Sequence, residues 1–247
     1  MTDPLPPSAD APTQSVAPAG LWEDFVDLFY APASVFARRA TGSFWIPMLV
    51  TSVLLGVTLL LTFDMLSGVF EAEIGRAMAA AAKTNPAITP EIISQQIGLQ
   101  MKVAKYASVV FVPLIITIVA LVSWLCGKIV GAKQSWNAAL VVASYAYFPK
   151  ALEPIVNGVM AMMSNPASLN GRYRVTLGLG RFFDPDTASP VIIALLGRVD
   201  VFTIGVTVLL AVGVSITGKI GRAEGAMVGV MVWLVGALPT VLPALMR

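Results

Sequence analysis

Four stretches of this chain run for about 20 residues without a charged side chain, the length that crosses a hydrocarbon core of about 30 Å. They are residues 44–63, 106–127, 201–218 and 225–246. Charge closes each of them, with Arg39 and Asp64, Lys105 and Lys128, Asp200 and Lys219, and Glu224 and Arg247 at their flanks. Runs this uniformly apolar lack the period-2 alternation of barrel strands. A spanning segment must also satisfy its own backbone, so each run reads as a helix. The expected fold class is all-α, an integral membrane protein.

A fifth crossing is expected over 136–163. Its uncharged start, 135–148, rises only about 21 Å as a helix. Continued to Met163 it reaches about 43 Å, enough to span with tilt. "YAYFPKALEPI" then places Pro149, Lys150, Glu153 and Pro154 inside one kinked helix, past its middle.

Composition agrees with lipid as the solvent. Hydrophobic residues make up 57% of the chain and charged residues only 12%, against about a quarter charged in soluble domains. Mean hydropathy is +0.80. A net charge of +2 gives no basic footprint, so no nucleic-acid partner is expected. The chain has no histidine, which removes the commonest general base and metal ligand, and with it any H-E-x-x-H zinc site. The single cysteine, Cys126, lies in an apolar run and reads as a small buried hydrophobe. No catalytic residue, metal site or cofactor is expected, and the chain reads as non-enzymatic. Residues 1–20 carry five prolines and no apolar core, and read as a disordered tail rather than a signal peptide.

The chain also repeats itself. "FVPLIITIVALVSWLCGKIVGA" begins at Phe111 and "FTIGVTVLLAVGVSITGKIGRA" at Phe202. Each carries Gly-Lys-Ile at the same offset, at Gly127-Lys128 and Gly218-Lys219. Each is followed by a second apolar run bearing two prolines, Pro149 and Pro154 in one, Pro239 and Pro243 in the other. The last four spans are therefore expected to be two helical hairpins of like orientation, related by an axis along the membrane normal. Prolines at matching depth predict paired bends around a common centre. Lys128, Lys133, Lys219 and Arg222 in the short links, with Arg38 and Arg39 before the first span, place those ends in the cytoplasm. The N-terminus is then inside and the C-terminus outside.

Outside the spans, residues 21–40 predict an interfacial amphipathic helix that restarts at Pro32. Leu21, Trp22, Phe25, Val26 and Phe29 form its apolar face, opposite Glu23, Asp24 and Asp27. It is expected to pack on the protein's own bundle, with partner docking as the alternative. Residues 64–105 predict two helices outside the membrane, broken at Thr84-Asn85-Pro86 and restarted at Thr89-Pro90. Residues 164–189 read as loop, and its D-P-D at Asp184 and Asp186 is too few carboxylates for calcium.

Lys150 and Glu153 are three apart, so they share a helix face and can neutralise each other. A charge in a span is a functional candidate by default, costing about 2.5–3.5 kcal/mol on insertion scales. The bland reading is a self-paired charge in the outer leaflet, and the sharper one a residue on a solute or ion path. Arg198 and Asp200 read as flank charges. Gly225 and Gly229, spaced G-x-x-x-G, permit close packing of helices.

The segments "DLFYAPASVF" before the first span, "FWIP" at its start and "SYAYFPKAL" in the third resemble the Yip (Ypt-interacting protein) membrane family, in its bacterial branch. Eukaryotic relatives carry Asp-Leu-Tyr-Gly-Pro where this chain has "DLFYAP". The resemblance implies a non-enzymatic five-pass Yip-like domain over 41–247, in the bacterial inner membrane. The chain is expected to act there as a scaffold or adaptor through contacts with other membrane proteins or with itself. The alternative is a small channel or transporter lined by the proline-bearing spans.

Overall fold

The computed structural model describes residues 20–85, 87–165 and 168–245. The expected tail lies outside them, apart from Gly20. All ten α-helices among the described residues follow from local chemistry and from burial.

Two short helices open the chain, α1 (Leu21–Asp27) and α2 (Pro32–Arg39). Pro32 starts α2 because its fixed φ and missing N–H suit a first turn. Helix α3 (Trp45–Thr84) then runs 40 residues, about 60 Å. It is longer than the span expected at 44–63. Asp64 ends the apolar run but not the helix, and alanines 77 and 79–82 are the strongest helix formers. The helix stops at Asn85, whose backbone turns extended ahead of Pro86.

Thr89 caps α4 (Pro90–Val110), its hydroxyl accepting from the Ile92 amide at 3.4 Å. Helix α4 returns antiparallel along α3. Lys105 pairs with Asp64 at 2.8 Å, Val109 covers Gly56 and Ile97 covers Gly75. It passes into α5 (Val112–Ile129) through Phe111.

The centre of the bundle is α6 (Trp136–Ala146). Every residue from Ala138 to Ala146 is buried. A helix apolar on all sides must be surrounded, and α2, α3, α5 and α9 surround this one. Helices α9 (Val201–Gly218) and α10 (Arg222–Leu245) form the second hairpin. Helix α6 packs on α9 and α10 on α5, so the two hairpins interlock. Four helices, α3, α5, α9 and α10, are long and apolar enough to cross a membrane.

The third expected span is not one helix. Helix α6 ends at Ala146, a 3-10 turn covers Phe148–Ala151, and α7 occupies Glu153–Met163. Pro149 and Pro154 lie five apart, about 140° around a helix at 100° per residue. Two missing donors on different sides cannot be absorbed by one bend. Pro239 and Pro243 lie four apart, about 40° around, and α10 continues through both.

Beyond α7 the chain builds a cap rather than a plain loop. "RYRVTLGL", read as weakly alternating, forms a 3-10 turn at Arg172–Val175 and leads into a second at Leu179–Phe182. A short unanticipated helix, α8 (Pro190–Leu196), precedes α9. The cap is pressed tight at three glycines. Gly178 bridges to Asp200, Gly180 abuts Gly197, and the Tyr173 ring occupies the space a Gly197 side chain would need.

Candidate functional site

Three clusters collect the polar chemistry of this apolar bundle. The first joins the two hairpin turns. A Cβ added to Gly127 would come 3.3 Å from the Ala132 Cβ, and one added to Gly218 would come 2.8 Å from it. The Lys133 amide donates to the Gly218 carbonyl at 2.9 Å. Lys128 Nζ donates to the carbonyls of Ala132 and Gln134, at 3.3 and 3.0 Å, and sits 5.3 Å over the Trp124 ring. Lys219 ends α9 in a left-handed conformation, φ 54. Gly127-Lys128 and Gly218-Lys219 therefore meet at one end of the molecule, as parallel hairpins require. Their lysines are occupied in finishing helices.

The second cluster lies at the opposite end. Lys150 Nζ stands 2.7 Å from Glu153 Oε2 and donates to Thr203 Oγ1 at 3.0 Å. These groups line a cavity of about 280 Å³ together with Asn157, Arg198 and Asp200. Asp200 is buried and not a flank charge in any simple sense. Its carboxylate caps α9, accepting from the amides of Phe202 and Thr203, both at 2.9 Å. Arg198 is drawn inward as well. Its guanidinium lies 5.7 Å over the Trp233 ring, and its carbonyl accepts from Trp233 Nε1 at 3.2 Å. Burial lowers the Arg198 pKa from its ordinary value, against the pull of Tyr147 and Asp200. Thr240, next to Pro239, lines the cavity from α10. The break at Pro149 and Pro154 and the stretch of α10 beside Pro239 thus face one space.

A larger cavity of about 770 Å³ adjoins it, sharing Arg172, Tyr173 and Thr240. Arg172 is pinned to Glu73 at 2.9 Å. Burial draws its pKa down, but the Glu73 carboxylate outweighs burial and raises it. Asp184 and Asp186 are held by protein donors: Asn170 Nδ2 reaches both, at 3.0 and 2.9 Å, and Arg76 reaches Asp186 at 3.3 Å. The Asp186 amide and Asn170 hold the Asp184 carboxyl below its ordinary value.

The third cluster was missed by sequence reasoning, which set Asp24 on an acidic face opposite the apolar one and gave it no partner. Asp24 is 0% exposed. It accepts from Arg38 at 2.8 Å, from Arg39 at 2.5 Å and from the Tyr145 hydroxyl at 3.3 Å. Beside it Phe25 stacks on Phe148 and Tyr145, with ring centroids 4.5 and 5.2 Å away. The first helix is thereby locked to α6 and the 3-10 turn. Trp22, Val26, Phe29 and Tyr30 are left facing outward. Available signals were the Asp24-to-Arg38/Arg39 charge match and the phenol hydroxyl of Tyr145 in an otherwise largely apolar helix.

All three clusters rest on one continuous domain. The model of the Yip1 domain matches residues 26–242, which takes in α2 to α9 whole and nearly all of α10. The chain belongs to the Yip1 domain family. No curated protein and no solved structure matches it. The match begins just past Asp24, so the Yip1 domain here includes both arginines that hold Asp24 but not the carboxylate itself.

Proposed function

We propose that this Yip1 domain protein is a non-enzymatic membrane scaffold that engages a neighbouring membrane protein through its N-terminal aromatic face. One observation carries the reading. Helix α1 is fixed to the bundle by Asp24 and Phe25, yet Trp22 is 74% and Tyr30 85% exposed. Rigid, outward aromatics are what interface centres are enriched in. The hairpin turns, with Lys128, Lys133, Lys219 and Arg222, face the cytoplasm of a bacterial inner membrane. The broken α6–α7 segment serves as the fifth pass.

A photoreactive residue at Trp22 or Tyr30, used in native membranes, is expected to give discrete protein adducts, including a dimer-sized one if the partner is a second copy. The same probe at the exposed Ile115 of α5 is expected to label lipid. Lipid adducts alone at all three positions would overturn the reading.

A second reading has its own support, because both proline-bearing segments line the cavity of Lys150 and Glu153. If the protein conducts a solute there, Lys150→Leu with Glu153→Leu abolishes proteoliposome flux while assembly persists. Unchanged flux removes this reading.

A further inference from the structure

We propose that the cavity between the α6–α7 break and the α8–α9 link binds a phosphate oxyanion, with Arg198 as its main ligand. The proposal begins with charge bookkeeping among the described residues. Three cations line the cavity: Lys150, Arg172 and Arg198. Glu153 neutralises Lys150, and Glu73 neutralises Arg172. Asp200 turns one oxygen to two amides at the α9 N-terminus, and its charge acts on Arg198 across the same cavity without a direct ion pair among the described residues. Arg198 has no ion pair among the described residues, and its Nε is buried without a hydrogen-bond partner.

Arg198 as a whole is half-buried, but its Nε is fully buried, and a buried donor left unmade costs its full desolvation. The fold nevertheless makes room for it. Gly236 of α10 faces the guanidinium, and a Cβ there would stand 2.7 Å from Arg198 Nη2. Trp233 supports the guanidinium with its ring face and its backbone with an indole N–H. A second orphan lines the same cavity: the amide oxygen of Asn157 is buried and unpartnered. Oxygen and nitrogen of such an amide exchange by a half-turn, so Asn157 can present an N–H to an anion. Lys150 uses two of its three donors on Glu153 and Thr203 and keeps one free. A phosphate is the group that accepts from a guanidinium, an ammonium and an amide together.

The surroundings fit a phosphate on a hydrocarbon carrier as well as a free one. Leu66, Val69 and Phe70 of α3 form the apolar side of the cavity, and the adjoining 770 Å³ space has alanines and prolines on its wall beside Glu73, Arg76, Lys83, Arg172, Arg174 and Asp186. The inference does not rest on the scaffold reading. Binding is read in detergent, without partner or second compartment.

The full chain is purified in uncharged detergent. Its melting temperature is measured against inorganic phosphate and, separately, against dioctanoyl phosphatidylglycerol. Wild-type protein is expected to melt higher with one or both. A shift with the lipid alone names a headgroup as the source, and a shift with both or with phosphate alone names the oxyanion itself. Arg198→Gln is expected to weaken binding at least tenfold, Arg198→Lys to retain part of it, and Arg222→Gln, at the opposite end, to leave it unchanged. Should Arg198→Gln fail to elute as a folded species, Asn157→Leu, which removes the unpartnered amide from the cavity, is expected to weaken the shift in its place. No wild-type shift with either probe overturns the proposal. So does a variant at Arg198 or Asn157 that binds like wild type.

Discussion

Asp24→Asn is expected to release α1 from the bundle while the interlocked hairpins stay folded. The substitution keeps shape and removes the one charge on which Arg38, Arg39 and Tyr145 converge. Breaking a fully buried ion pair costs about 3–5 kcal/mol. Both guanidiniums here are about a third exposed, so we expect about 2–4 kcal/mol. Asp27 is the internal control. It also pairs with Arg38, at 2.7 Å, but is 37% exposed, and Asp27→Asn is expected to cost less than about 1 kcal/mol. The measurement is thiol labelling of a Leu28→Cys probe, which is buried while α1 is docked, and the native Cys126 is buried and stays silent. Limited proteolysis within 20–44 follows the same release. Asp24→Asn should open that segment to protease, and Asp27→Asn should not. Equal protection in the two variants would show that Phe25 packing alone holds the helix, and that the carboxylate is incidental.

The same residue marks how far the sequence could be read. Long uncharged runs legibly required helices in lipid, because hydrocarbon leaves the backbone no other partner. Two Gly-Lys-Ile motifs legibly predicted parallel hairpins, and the two glycines do crowd the same alanine. Pro32, Thr89 and Asn85 were legible too, since their effects are confined to one turn. What failed was anything decided by a third element. The helix expected beyond Asp64 is there and stops at Thr84 as read, but it continues the first span as one helix, α3, instead of starting afresh. Pro149 and Pro154 announced an irregularity, but whether a helix bends or breaks depends on which sides lose their donors. Asp24 was read only as part of an acidic face, because an amphipathic pattern sorts residues by polarity. It cannot show that two arginines and a tyrosine from elsewhere will close over the polar side. Arg198 was placed with the flank charges for the same reason. Its depth is set by Trp233 and Gly236, 35 and 38 residues further along the chain.

That dependence on distant contacts yields the second large effect, at the α9–α10 seam. Gly225 and Gly229 are one turn apart on α10 and both face α9. A Cβ on Gly225 would come 2.5 Å from the Ala211 carbonyl oxygen and 2.8 Å from Ser215 Cβ. One on Gly229 would come 2.9 Å from the Thr207 carbonyl oxygen. The nearest obstacle at each glycine is a backbone oxygen, which cannot rotate aside as a side chain would. The G-x-x-x-G spacing is thus spent inside the chain, holding two of its helices together rather than a second copy. Overpacking of a well-fitted core costs about 1–3 kcal/mol, and a contact against backbone belongs at the upper end or above it. Gly225→Leu and Gly229→Leu are each expected to lower the melting temperature in detergent by several degrees. The doubly substituted chain is expected to lose its monodisperse elution. Gly205 of α9 and Gly68 of α3 meet nothing within 4 Å of an added Cβ. Alanine there is expected to be neutral or stabilising by up to about 1 kcal/mol, since it improves helix propensity without a clash. If the exposed pair proved as damaging as the seam pair, the seam would not be where this bundle is closed, and the hairpins would have to be held by α5 and α6 instead.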